Sequence, residues 1–163
     1  MEQQLEIQNR IKERFLNDIV SFDESSDILT VTVNKIAIIA LIRFLKEDLG
    51  FNFLTDLCGI HYPQQELQLG VVYHLHNFLS NTRIRVKTFT SLAEPEIQTL
   101  TEVFSAANWM ERETYDFFGI LFTNHPNLIR ILNVEYLDYF PLRKEYPLED
   151  QTRTDKDDSF FGR

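Results

Sequence analysis

Two groups of residues in this chain have the types that chemistry uses. The first is Glu111-Arg112-Glu113 followed by Asp116. On a helix Glu113 and Asp116, three positions apart, share a face with Trp109 and Arg112, while Glu111, Tyr115 and Phe118 fall on the other side. Two such carboxylates can do acid–base work if their environments split their pKa values. No substrate-shaping motif flanks them. Arg112 stands four residues before Asp116, so a structural ion pair between these two is the competing and simpler reading, with Trp109 as a buried edge beside it. The second group is Cys58, His61, His74 and His76. Zinc sites show closely paired Cys or His ligands, and these four are scattered. Cys58 as a nucleophile needs a base such as His61, but three steps along a strand put the two on opposite faces. The expectation is a buried, reduced, unligated thiol.

The carboxylate cluster needs a helix from Ser105 or Ala106 to Gly119. Before it, the chain alternates strand and helix patterns. Residues 4–16 carry an apolar side at Leu5, Ile7, Ile11 and Phe15, with Gln8, Arg10, Lys12 and Arg14 elsewhere. Ile19–Phe22 and Ile28–Val33 read as strands of a hairpin, joined by the turn composition of 23–27. Asn34 is a candidate N-cap, and Lys35–Leu49 has the strongest helical stripe, at Ile38, Leu41, Ile42, Leu45 and Leu49, with Gly50 as its stop. Phe51–Ile60 reads as a strand with a bulge near Asp56 or Gly59, and Leu67–Phe78 as a long strand. In Arg83–Phe89, Ile84, Val86 and Thr88 point to the core, and Arg83, Arg85 and Lys87 form the most positive local face in the chain. Glu94-Pro95-Glu96 predicts a short helix over Pro95–Val103. His125-Pro126-Asn127 is a turn. From Asn133 to Pro147 no compact element is readable, and Pro141 and Pro147 fit an extended segment. Residues 152–163 are polar and acidic, with a mobile or partner-bound tail expected. The fold class is therefore α+β, a mostly antiparallel sheet covered by helices, over residues 1–122. An extended arm and polar tail over 123–163 should leave the body and become ordered on a partner.

The chain has 163 residues and a net charge of -9. That length suits one domain, and the acidity disfavours nucleic acid as a partner. One cysteine allows no intrachain disulfide. The polar N-terminus does not read as a signal peptide, and no apolar run approaches the length of a membrane span. There is no GxGxxG, Walker A or CxxC pattern, so no cofactor is expected on this chain.

The central stretch resembles a known family. Glu111-Arg112-Glu113, Tyr115-Asp116-Phe117-Phe118-Gly119-Ile120, Phe122, His125-Pro126, Leu128 and Arg130-Ile131-Leu132 are similar to the signature of the thirty-kilodalton subunit of respiratory complex I. In bacteria this is the C subunit of NADH-quinone oxidoreductase. The likeness extends to Ala107-Asn108-Trp109, to Pro141-Leu142-Arg143-Lys144 and to Tyr146-Pro147-Leu148. It is weaker at Leu54–Leu57, Tyr73–Leu75 and Arg83–Lys87. The resemblance implies a structural subunit of the peripheral arm of a proton-translocating enzyme, with no catalytic, cofactor or metal residue of its own. It implies packing against the forty-nine-kilodalton-type partner (the D subunit) and other peripheral-arm subunits. The implied location is the cytoplasmic face of the bacterial inner membrane, without a membrane span. It also implies that Trp109, Glu111, Arg112, Glu113, Tyr115, Asp116, Phe118, Gly119, His125, Pro126, Arg130, Pro141, Leu142, Arg143 and Lys144 are structural or interface residues. Four positions depart from the pattern. Asn124 stands for a usual Gly, Ile129 for a frequent Arg, and Tyr139-Phe140 for Gly-His. The alternatives are a soluble interaction adaptor, or a stand-alone acid–base enzyme using Glu113 and Asp116.

Overall fold

The computed structural model describes residues 2–23 and 27–146, so the expectations for residues 24–26, Pro147 and the tail lie outside the described residues. Helix α1 (Glu2–Phe15) leads into strands β1 (Ile19–Asp23) and β2 (Leu29–Val33), then α2 (Ile38–Glu47). Strands β3 (Phe53–His61), β4 (Leu69–Asn77) and β5 (Thr82–Thr90) follow, then β6 (Glu96–Gln98), α3 (Ala107–Phe118) and β7 (Leu121–Thr123). The main sheet has five strands in the order β1-β2-β5-β4-β3, and β6 and β7 make a separate two-stranded pair. Its pairings are antiparallel apart from β2–β5, which is parallel, as is the separate β6–β7 pair, so the expected mostly antiparallel α+β fold is found with two parallel ladders.

One face of the sheet holds the core. Leu69, Val71, Tyr73 and Leu75 of β4 and Ile84 and Val86 of β5 are buried against it. α2 lays Ile38, Leu41, Ile42 and Leu45 into the same cluster, as its stripe dictates. α1 contributes Ile7, Ile11 and Phe15, a strict four-residue repeat, whereas Leu5 is exposed and Gln8 is buried instead. The register between β3 and β4 shifts between Leu54 and Asp56, which is the expected bulge. It returns Leu57, Gly59 and His61 to the core side while Asp56 and Cys58 face away.

Three local expectations are corrected. α2 begins at Ile38 after a turn in which the Ala37 amide donates to the Asn34 carbonyl (3.0 Å), so Asn34 caps no helix. Gly50 does take the left-handed conformation just beyond the helix end (φ 73). Residues 95–103 are not a helix. Ile97 is buried in a short strand whose flanks bond to β7, Leu121 N–H to Pro95 O (2.7 Å) and Thr99 N–H to Thr123 O (3.0 Å). A partner strand distant in sequence overrides the local Pro signal. Cys58 is exposed on the outward side of β3 rather than buried. Partial burial of the thiol itself, with Asp56 and Glu113 nearby, pushes its pKa up, so it stays protonated.

α3 lies over β3 at a point where the strand has no side chain. A Cβ built on Gly59 would overlap the Phe118 ring. Gly59→Ala must therefore push α3 off the sheet. We expect a loss of about 1–3 kcal/mol, the usual range for overpacking, read from urea unfolding midpoints; an unchanged midpoint would contradict this close approach.

Candidate functional site: a buried acid that binds the arm to the third helix

α3 ends at Gly119, whose left-handed φ of 72 reverses the chain. Its last turn holds no basic residue of its own, so the negative end of the helix dipole and the final carbonyls need outside donors. Residues 128–146 supply them. The Leu142 amide donates to Phe117 O (3.2 Å), and Arg143 Nε donates to Phe118 O (2.7 Å). Arg130 Nη1 donates both to Asp116 O (2.9 Å) and to the Asp116 carboxylate (2.7 Å).

Asp116 is the centre of this arrangement and is fully buried. Its Oδ2 accepts three successive backbone amides, Ile131 (3.1 Å), Leu132 (2.8 Å) and Asn133 (2.9 Å). Its Oδ1 accepts Arg130 and Asn133 Nδ2 (3.1 Å). Burial alone would raise its pKa. The Asn133, Leu132 and Ile131 amides and the Arg130 guanidinium outweigh that and hold the carboxyl well below the usual range. Arg130 extends the fastening, since Nη2 donates to Leu137 O (2.7 Å) and Tyr139 O (3.2 Å). Residues 128–146 form no helix or strand, and they wrap α3 rather than leave the body.

The predicted pair of Arg112 with Asp116 is not formed. Arg112 points the other way, donating to Ile129 O and Arg130 O (both 3.1 Å) with its guanidinium 5.0 Å over Trp109. Trp109 is 61% exposed, not a buried edge. Asp116 pairs with Arg130 because a buried carboxylate needs several donors at once, and the folded-back arm offers five where Arg112 offers one. Glu113 is exposed, and Asp116 keeps its charge within its own set of donors. The two are therefore not an acid–base pair.

Glu111, on the opposite side of α3, is also fully buried. It accepts Thr99 Oγ1 (2.5 Å) and the Leu100 amide (2.6 Å), tying the loop after β6 to the helix. Burial pushes its pKa up to about 7, the two hydrogen bonds opposing this. His125 accepts the Asn127 amide at Nδ1 (3.0 Å), so its Nε2 carries the proton, which it gives to Asn108 O (3.1 Å), 3.9 Å from Glu111. Pro126 is exposed in the turn and Pro141 half-buried. Tyr115 meets the Phe140 ring edge-on at 6.2 Å. Lys144 contributes its amide, which donates to Nδ1 of buried His61 (3.0 Å) and pins this part of the arm to β3. Leu142 lies with Cys58, Glu113, Phe117 and Phe118 along the groove between α3 and β3.

Two departures from the signature are explained. Asn124 has φ 64, a left-handed position that glycine fills freely and asparagine tolerates. Phe140 receives two guanidinium groups on its ring, Arg143 at 4.6 Å and Arg130 at 5.1 Å, so an aromatic side chain is held here by cation–π attraction. Ile129 lends only its carbonyl to the network, and the structure gives no reason for its side chain. Sequence reasoning missed Asn133, Thr99 and the anchoring role of His61. All three act across long loops, and no local spacing marks them.

Removing one partner of a buried pair commonly costs about 3–5 kcal/mol. Asp116→Asn should lie in that range by chemical denaturation of the isolated chain, and Arg112→Ala well below it. Equal losses would contradict the assignment of roles. Glu111 gives a pH signature of the opposite sign. Between pH 4.5 and about 7 the folded chain keeps a proton on Glu111 that the unfolded chain has released, so its contribution to stability falls as pH rises. Asp116, with its lowered pKa, adds a constant amount in that window and loses it only at lower pH. Glu111→Gln should therefore gain on the wild type between pH 5 and pH 8 by about 2–3 kcal/mol, read from thermal melts; parallel profiles would refute this.

A family model described as "Respiratory-chain NADH dehydrogenase, 30 Kd subunit" matches residues 31–152. The C subunit of NADH-quinone oxidoreductase from Citrifermentans bemidjiense is 43% identical over 144 residues, 88% of this chain and 89% of that one. Its counterpart from Geotalea uraniireducens is 39% identical over 88% of each chain. Among solved structures, the trypsin-resistant fragment (1-134) of Nqo5 superposes with a TM-score of 0.67 at 28% identity, over 77% of this chain and 99% of that one. A chain of the membrane-bound sulfane sulfur reductase, an archaeal respiratory membrane complex, superposes with a TM-score of 0.75 at 25% identity, over 90% of this chain and 86% of that one. The Glu111, Asp116, Arg130 and Arg143 contacts lie on one helix and its wrapping arm, and these matches run over most of the length. The chain belongs to the family of the respiratory-chain NADH dehydrogenase 30 Kd subunit, which is the C subunit of NADH-quinone oxidoreductase.

Proposed function

We propose that this chain is a positional subunit of the peripheral arm of a proton-translocating NADH-quinone oxidoreductase, at the cytoplasmic face of a bacterial inner membrane. In this reading residues 1–122 are the body. The arm from 123 onward carries the contact with the forty-nine-kilodalton-type partner, and helps hold the quinone-reducing module together. One observation carries it. The arm's backbone is fastened inward to Asp116, yet it turns a series of apolar side chains outward: Ile129, Leu132, Val134, Tyr136, Tyr139, Leu142 and Tyr146, with Trp109 beside them. Exposed apolar area of this extent marks a contact surface. Ordering the backbone beforehand lowers the entropic cost of binding.

The membrane association runs through partners in this reading. No helix among the described residues is long and apolar enough to cross a membrane. The likeness to a chain of a sulfane sulfur reductase supports a role that does not depend on the electron donor.

Tyr136 is 87% exposed, so its replacement leaves the fold alone. Tyr136→Glu should give a chain with wild-type unfolding behaviour but several-fold less assembled complex in the membrane. NADH:quinone turnover per intact complex should stay near wild type. Normal assembly with collapsed turnover per complex would defeat the positional reading.

A further inference from the structure

The second face of the main sheet, beyond its β3 edge where Cys58 meets the α3 groove, is used by nothing described so far. Strand alternation turns Gly70, Val72, His74 and His76 of β4 outward, and register places Arg83, Arg85 and Lys87 of β5 beside them. The three cations occupy successive outward positions, about 7 Å apart. Arg14, Arg130 and Arg143 are in ion pairs with carboxylates, whereas none of Arg83, Arg85 and Lys87 is, among the described residues. Arg85 Nε donates to His74 Nε2 (2.8 Å), which leaves the His74 Nδ1 proton facing Asp56 at 3.6 Å. The guanidinium is thereby held in place, with its terminal N–H groups left over.

Aromatic rings close both ends of this column. Phe53 pairs with His76 across the ladder, and the Phe78 ring lies 5.1 Å from Phe53 and 4.5 Å from His76. At the other end Tyr62 and Phe89 stand 6.1 Å apart. Phe53, Phe78 and Tyr62 are exposed. A row of cations about 14 Å long, bounded by exposed rings, is an unusual feature in a chain of net charge -9.

We infer that this face is a second interface, shaped for an extended acidic segment of a neighbouring protein subunit. Carboxylates of that segment pair with Arg83, Arg85 and Lys87, and its apolar side chains rest on the aromatic pairs at the two ends. Register places Asp23 and Asp56 at the two edges of the row that contains Arg85, so the positive strip is only one strand wide. A continuous phosphate backbone would meet those carboxylates and the chain's overall negative field. A peptide can place carboxylates at the strip alone. The chain's own residues 147–163 are a poorer match, since Glu149, Asp150, Asp155, Asp157 and Asp158 are interspersed with Arg153, Lys156 and Arg163.

The inference rests on the multi-subunit reading above, and zero-length coupling tests it in the intact purified complex. A carbodiimide joins an amine only to a carboxylate in contact with it, and Lys87 is the lysine of this column. The expected result is a Lys87 coupling product with an Asp or Glu of another polypeptide, found by mass spectrometry. Amine acetylation of Lys87 should also fall at least about fivefold, or roughly 1 kcal/mol in protection, from the isolated chain to the complex. Coupling only to residues 149–158, Asp23 or Asp56 of the same chain would overturn the inference. So would Lys87 acetylation equal in the two states, even though the chain still co-purifies with other subunits. A chain that co-purifies with none overturns the function reading as well.

Discussion

The structure of the second half of this chain depends on one buried carboxylate. Asp116 is removed from water at the end of α3, where the helix dipole is already negative. An acid there is unfavourable unless donors surround it. The chain meets that condition by folding residues 130–133 back so that three amides, one side-chain amide and one guanidinium converge on two oxygens. Removing water and restoring hydrogen bonds are thus the same event, and neither the helix end nor the arm has this geometry without the other.

α3 carries a second buried acid, and the two differ in their donors. Glu111 receives two short hydrogen bonds and a buried His125 nearby, and its pKa rises. Asp116 receives five donors including a guanidinium, and its pKa falls. Glu111 sits deeper in the protein and has fewer donors, and both differences separate the two. Each acid ties a different irregular segment to the helix, Glu111 the loop after β6 and Asp116 the arm. The helix is itself seated on β3 where Gly59 leaves room for Phe118. Segments with little regular structure are thereby made part of one body, and the exposed apolar side chains of the arm are presented from a fixed backbone.

Much of the fold was legible in the sequence because its elements follow local rules. The alternation of β4 and β5, the stripe of α2, the bulge in β3 and the Gly119 stop each have a physical signature within a few residues. What was not legible depends on contacts between distant segments. Residues 96–98 pair with 121–123, so a Pro-initiated helix never forms. Arg112 loses Asp116 to Arg130 because the return of the arm over α3 cannot be read from helical spacing. Lys144 finds His61 from 83 positions away in the sequence. The family signature does not say which of the residues around Asp116 touch.

The central claim is that Asp116 orders the arm within the chain itself, before any partner binds. The most direct measurement is hydrogen exchange of the Ile131, Leu132 and Asn133 amides in the isolated wild-type chain. The account predicts protection comparable to that of the α3 amides, because all three end on a buried carboxylate. Exchange at the rate of an unstructured peptide, with α3 still protected, would contradict it.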